Sequence, residues 1–177
     1  NVVATMGTAL TQEHVDLLKR FTERFFLLFD ADEAGREAAE RSLPIFLKSN
    51  VHAKVVELPS GLDPDDFIRK HGKSALLEKI ENSRFLIDFV LERWMEELGA
   101  VFSSKSRIVE RIVPYLRHVP EGIEREEWVK RVSDRLQIDE KWITRPLSRQ
   151  KIDQTRGSER GASTDISPWS SLRLESA

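Results

Sequence analysis

Two pairs of aspartates, Asp30/Asp32 and Asp63/Asp65, have the residue types and spacing best suited to chemistry in this chain. Each pair comes shortly after an apolar run. Side chains two positions apart on an extended backbone point the same way, so Asp30 and Asp32 are able to face one metal ion. Mg²⁺ prefers one or two carboxylates together with waters and substrate phosphates. Two such ions about 4 Å apart orient an attacking hydroxyl and stabilise a leaving pyrophosphate. The pattern therefore favours a site that holds divalent metal against phosphate.

An ordinary structural role explains the same residues, and spacing alone leaves both interpretations open. Aspartate after a strand is common at turns and helix N-caps, and Asp63 before Pro64 has the pattern of an N-cap and a first helical residue. Recurrence of the pair at two strand ends favours the metal site. Gly7 and Thr8 end a third apolar run and are candidates to present backbone N–H groups to a nucleotide phosphate. A lone Gly-Thr pair is more often a simple turn.

The elements that position these residues are predicted to form a parallel sheet. Apolar runs at 2–5, 25–29 and 53–58 predict strands, and helical patterns follow each run. Alternation of strands and helices indicates right-handed crossovers with helices on the sheet faces. Ligands bind outside the carboxyl ends of the strands in such sheets. The run 25–29 is expected to be covered on both faces. Pro44 is expected to kink the helix predicted over 33–49 or to start a second turn.

The strand pattern disappears after about residue 73, and the rest of the chain reads as helices followed by a polar tail. Helices are predicted at 63–70, 73–82, 84–98, 104–118, 122–136 and 139–147. The serine-rich tail cannot bury enough surface to offset its ordering entropy, so a flexible linker is expected there. These patterns divide the chain into an α/β domain at 1–83, a helical subdomain at 84–147 and a linker at 148–177.

Composition narrows the class of protein without giving its function. Of the 177 residues, 40% are hydrophobic and 33% charged, which suits a globular core. The absence of cysteine excludes disulfides and thiolate zinc sites, and no apolar run approaches the roughly 20 residues of a membrane span. A cytoplasmic location is expected, with no membrane partner. The net charge of −2 does not by itself announce a nucleic-acid binder, for which a strongly basic domain is typical.

Three sequence blocks resemble the Toprim domain of bacterial DnaG-type DNA primases. The blocks are NVVATMGTALT at 1–11, FDADEAG at 29–35 and LPSGLDPDDFIRKHG at 58–72. The Asp-x-Asp element alone also suits topoisomerases and Toprim nucleases, whereas Asp-Pro-Asp followed by Ile-Arg-Lys-x-Gly points to primase. The resemblance covers residues 1–83 well and the helical part to about 147 more loosely. It implies a Toprim-like α/β fold followed by an all-helical subdomain.

The resemblance implies an enzyme that copies single-stranded DNA into short RNA primers from nucleoside triphosphates. Asp30 and Asp32 would be catalytic and would bind Mg²⁺ or Mn²⁺, with Asp63 and Asp65 in the same metal-binding group. The implied partners are the DNA template, NTPs, the nascent primer and the replicative helicase, the last through a carboxyl-terminal domain expected outside this chain. Zinc is expected only in an amino-terminal domain, also outside it. The protein is expected to be a monomer at the replisome.

Two departures from the family pattern and one absence qualify the resemblance. Ala31 stands where glycine is usual, and Leu62 replaces a usual acidic residue. The family's metal-binding glutamate belongs to an earlier strand that this sequence does not contain. The chain is therefore expected to be a fragment and to be inactive alone.

Two other functions remain open at this point. Another Toprim enzyme would need its own signature, such as the tyrosine nucleophile of a topoisomerase, but the only tyrosine, Tyr115, lies within a predicted helical core stripe. A non-catalytic module would use its helices to bind a partner, and its aspartates only as caps.

Overall fold

A computed structural model describes residues 2–5, 9–59, 61–99 and 102–148 of the chain. The helices and strands, in chain order, are α1 Gln12–Leu18, β1 Phe25–Leu28, α2 Glu33–Lys48, β2 Ala53–Val56, α3 Pro64–Glu81, β3 Arg84–Phe85, α4 Leu86–Leu98, α5 Phe102–Leu116, α6 Ile123–Leu136 and a last helix, α7, at 141–148. Among these residues no helix is long and apolar enough to cross a membrane.

Within the part of the chain that the structure describes, the sheet has three strands in the order β1-β2-β3. β1 and β2 are parallel, with Leu28 opposite Val56, so the chain leaves both strands at the same edge. β3 pairs antiparallel with β2. The expectation that strand structure ends near residue 73 is therefore wrong. A two-residue strand carries too little periodicity to be recognised in a sequence, and its pairing depends on contact with β2.

The first predicted strand and the burial of β1 also differ from expectation. Residues 2–5 form no strand in the described part of the chain, and Val2 and Val3 are exposed. β1 lies at one edge of the sheet that the described residues form, and Phe26 is 39% exposed, so these residues do not cover β1 on both faces. An apolar run favours burial, but only the presence of neighbouring elements decides whether both faces are covered.

Side-chain caps begin three of the helices, and two of these caps are aspartates that follow predicted strands. Thr11 and His14 form a reciprocal capping box at the start of α1, and Asp32 and Asp63 cap α2 and α3. α2 runs through Pro44 as one helix, and the kink expected at Pro44 stays a prediction. α3 bends at Gly72, whose φ of +80° favours glycine. This bend confirms the predicted division between helices at about residue 72.

One hydrophobic core joins the sheet to the helices that follow it. α2 packs on α4 and α5, and α4 also contacts β2 and α6. Leu43 of α2, Leu91 and Trp94 of α4 and Ile112 of α5 are fully buried in this core. The core is continuous across residue 83, where a domain boundary is predicted, and the boundary stays a prediction. Of the linker predicted at 148–177, residue 148 is described and ends the helix at 141–148, while residues 149–177 lie outside the described residues.

Candidate metal and nucleotide site

Asp30 and Asp32 lie where β1 passes into α2, and the structure gives them different surroundings. Asp32 is the N-cap of α2, and its Oδ1 accepts a hydrogen bond of 2.7 Å from the backbone N–H of Gly35. Asp30 is exposed, and its carboxylate has no hydrogen bond or ion pair with any described residue. The capping interpretation therefore accounts for one oxygen of Asp32. It does not account for Asp30, which stands free at the end of a parallel strand.

Gly35 allows the first turn of α2 to pack directly against the backbone that carries Asp30. A Cβ atom at Gly35 would lie 2.1 Å from the carbonyl oxygen of Asp30 and 3.0 Å from its carbonyl carbon. Real Cβ atoms essentially never approach so closely. The glycine is therefore required by packing at this position, and it fixes the distance between the strand end and the helix start.

A small cavity of about 80 Å³ opens beside Asp30 at the carboxyl edge of the two parallel strands. Asp30, Arg36 and Glu57 supply its charged groups, and the rings of Phe29 and Phe89 supply part of its apolar wall. Arg36 is held only loosely, by an ion pair of 3.8 Å to Glu33. The cavity thus combines the free carboxylate oxygens of Asp30 with the exposed guanidinium of Arg36, a mixture that suits both a cation and an anion.

Three of these cavity residues were not identified from the sequence. Glu57 directly follows β2, so its place at a strand end is a signal that could have found it. Its carboxylate pairs with Arg84 at 2.5 Å, and Arg84 also binds Glu92. Phe89 comes from α4, and Arg36 lies in an ordinary amphipathic helix, so no local pattern marks either residue.

Asp63 and Asp65 are occupied within their own helix. Asp63 caps α3, with its Oδ1 accepting from the N–H of Asp66 at 2.8 Å. Asp65 forms an ion pair of 2.9 Å with Arg69, one turn further along, and both side chains are exposed. Within the described ranges no three acidic or histidine side chains lie close enough to hold a metal together. The metal-binding group of four aspartates therefore stays a prediction, and Gly7 and Thr8 lie outside the described residues.

The residues that are present do fit a magnesium-type ion. Asp30 offers two free oxygens and Asp32 keeps Oδ2 available beside its capped Oδ1. All of these donors are carboxylate oxygens, which Mg²⁺ and Mn²⁺ prefer, and Mg²⁺ is commonly held by only one or two carboxylates with water and phosphate completing its shell. An all-protein cage is not needed for such an ion.

Comparison with known families gives two matches within the chain. A sequence model of the family described as Toprim-like matches residues 1–68, the part that contains both aspartate pairs. A second model, described as the DnaB-helicase binding domain of primase, matches residues 102–141, which are mostly α5 and α6. The helicase-binding part was expected beyond the chain, whereas this match lies inside it.

Similar proteins and structures agree with these matches. The chain is 34% identical to a DNA primase of Clostridium acetobutylicum over 149 residues, which are 81% of the chain and 24% of that protein. It is 31% identical to a DNA primase of Listeria monocytogenes, and this match covers 95% of the chain and 27% of that protein. A DNA primase domain from Pseudomonas aeruginosa superposes with a TM-score of 0.70 at 27% identity, covering 80% of the chain and 46% of that domain. A DnaG primase catalytic domain bound to single-stranded DNA superposes with a TM-score of 0.67 at 28% sequence identity. The match covers 76% of the chain and 44% of that domain.

Proposed function

Because this chain belongs to the family of bacterial DnaG-type DNA primases, we propose that it supplies part of a catalytic core that makes short RNA primers on single-stranded DNA. It spans about a quarter of the length of the curated relatives above, so the activity belongs to a longer protein. The substrates are NTPs and a DNA template, and the reaction is nucleotidyl transfer. The place of action is the replisome in the bacterial cytoplasm.

The observation that carries this proposal is the free carboxylate of Asp30 at the carboxyl end of a parallel strand, beside the capped Asp32. A divalent ion bound there would stabilise charge on the transferring phosphate. Asp30 and Asp32 would hold that ion. Gly35 fixes the position of Asp32 relative to Asp30, because it allows α2 to pack directly on the Asp30 backbone. Asp63 and Asp65 would belong to the same metal-binding group, and water and substrate phosphates would supply its remaining ligands.

The test is primer synthesis by the parent primase with one carboxylate changed at a time. Asp30→Asn should lower the rate by at least about 100-fold, because a metal contributes several kcal/mol of charge stabilisation. Asp32→Asn should lower it as well, while keeping α2 capped, because asparagine is as good a cap as aspartate. Asp139→Asn is a matched control, since Asp139 is exposed and caps nothing at the cavity. Priming by Asp30→Asn at the unsubstituted rate would refute the assigned role.

Metal binding can be followed in this chain alone. Titration with Mn²⁺ should broaden the NMR amide signals of residues 30–32 first, whereas uniform weak effects along the chain would favour a purely capping role. We expect the 177 residues by themselves to synthesise no primers, and measurable synthesis would contradict that expectation.

Contact with the replicative helicase is a second proposed role, and the match over residues 102–141 supports it. The proposed helicase contact would lie on α5, α6 and the turn that follows. Binding of a purified replicative helicase to the chain, measured by titration calorimetry, tests it. Tyr115 is half-buried, and its ring stacks on that of Trp94 with 5.9 Å between the ring centres. This tyrosine therefore has a packing role, which disfavours topoisomerase chemistry.

A further inference from the structure

Arg93 of α4 binds two glutamates of α2 at once. Its Nη2 donates a hydrogen bond of 2.5 Å to Glu33, and its Nη1 lies 3.5 Å from a carboxylate oxygen of Glu40. Glu33 and Glu40 are seven residues apart, which is about two helical turns, so both lie on the face of α2 that looks toward α4. The Arg93 side chain is only 19% exposed.

The Glu33 contact reaches the start of α2, next to the metal-binding candidates. Glu33 directly follows Asp32, whose carboxylate caps the helix through Gly35. The other partner of Glu33 is Arg36 of the same helix, at 3.8 Å. Among the described residues, Arg93 is therefore the one side chain from a later element that holds the first turn of α2 by an ion pair.

We propose that Arg93 is a positioning residue for the Asp30/Asp32 site. By holding Glu33, it keeps the first turn of α2 seated on the strand end, and so fixes where the Asp32 carboxylate stands relative to Asp30. This gives the helical region after the sheet a direct part in shaping the site. The consequence for priming rests on the proposed function, but the structural effect on α2 does not.

Arg111 of α5 provides a matched control within the same ion-pair network. It binds Glu40 at 2.6 Å and Glu97 at 3.1 Å, and its guanidinium lies 4.5 Å from the Trp94 ring centre. Among the described residues its ion pairs are to Glu40 and Glu97, and none is to Glu33. Arg93→Gln and Arg111→Gln thus remove the same charge and each break a pair to Glu40, but only the first releases the helix start.

Hydrogen exchange of the Gly35 amide reports on the helix start without any metal, because this amide donates to Asp32. Its exchange should be about threefold to fivefold faster in Arg93→Gln, which corresponds to a partly exposed ion pair worth up to 1 kcal/mol. In Arg111→Gln the exchange rate of the Gly35 amide should change no more than that of the Val90 amide, which lies in the buried part of α4. Glu33→Gln should match Arg93→Gln, and the two combined should add little, because both remove one interaction.

Mn²⁺ affinity provides the second measurement on the same variants. It should fall by a similar factor in Arg93→Gln and stay unchanged in Arg111→Gln. Equal effects of the two arginine variants on Gly35 exchange would overturn the inference, even if Asp30→Asn abolishes priming in the parent enzyme. Conversely, normal priming by Asp30→Asn would refute the proposed function while leaving the exchange result valid.

Discussion

Gly35→Ala is the substitution whose effect on the site the structure predicts most directly. The added Cβ would lie 2.1 Å from the Asp30 carbonyl oxygen, whereas ordinary contacts begin at 3.4 Å. Both groups in the clash are fixed to the backbone, so no rotamer change relieves it. The strand end and the helix start must separate by roughly 1 Å, a displacement large enough to cost about 100-fold in a catalysed rate.

The balance of free energies also favours destabilisation. Overpacking of this kind costs typically 1–3 kcal/mol, while alanine in a helix gains at most about 1 kcal/mol over glycine. We therefore expect Gly35→Ala to lower the free energy of unfolding by about 1–2 kcal/mol in urea titrations. Mn²⁺ should no longer broaden the amide signals of Asp30 and Asp32 selectively.

Gly72→Ala separates loss of stability from loss of the site. Its φ of +80° makes alanine strained, which costs on the order of 1–3 kcal/mol, but the added Cβ meets no atom within 4 Å outside its chain neighbours and its own helix backbone. The parent primase should therefore lose stability with either substitution and lose priming only with Gly35→Ala. Unaltered unfolding and unaltered priming in Gly35→Ala would show that the close packing of α2 on Asp30 is not as described.

Two further predictions concern the caps and the pH dependence. Asp63→Ala should lower the free energy of unfolding by about 1 kcal/mol, because the N–H of Asp66 loses its acceptor, whereas Asp63→Asn should change it little; equal urea midpoints for the two variants would contradict this. The pKa of Asp16 is held below its usual value by hydrogen bonds from Gln12 and Ser49 to the ionised carboxylate. A lowered pKa in the folded state stabilises the fold at neutral pH, and this contribution is lost as the pH falls below about 4. Asp16→Asn should flatten the acid limb of a stability–pH curve, and an unchanged limb would exclude this carboxylate as a cause.

The local elements around the site could be predicted because local rules decide them. An apolar run followed by an acidic cap defines the passage from β1 to α2, and Asp63 followed by Pro64 defines the start of α3. The parallel pairing of β1 with β2 follows from the helix between them, and it brings both strand ends to one edge. These features need only short-range chemistry and the crossover rule.

The surroundings of the aspartates could not be predicted in the same way. Phe89 and Arg93 reach the site region from α4, more than fifty residues after Asp30, and nothing in their local sequence marks them. The strand expected at 2–5 has the right composition but no partner in the described structure. Strand formation depends on pairing with a neighbour, which residue type alone does not supply.

The caps and the order of elements can be read from local sequence, because backbone preference and hydrogen bonding to the nearest residues act within a few positions. The sequence also carried the family resemblance. Which carboxylates are free became clear from the three-dimensional packing. Asp30 is free, Asp32 uses one oxygen as a cap, and Asp63 and Asp65 are bound within their own helix. That division depends on how α2 packs against the strand end and α4, and such packing is set by contacts between distant parts of the chain.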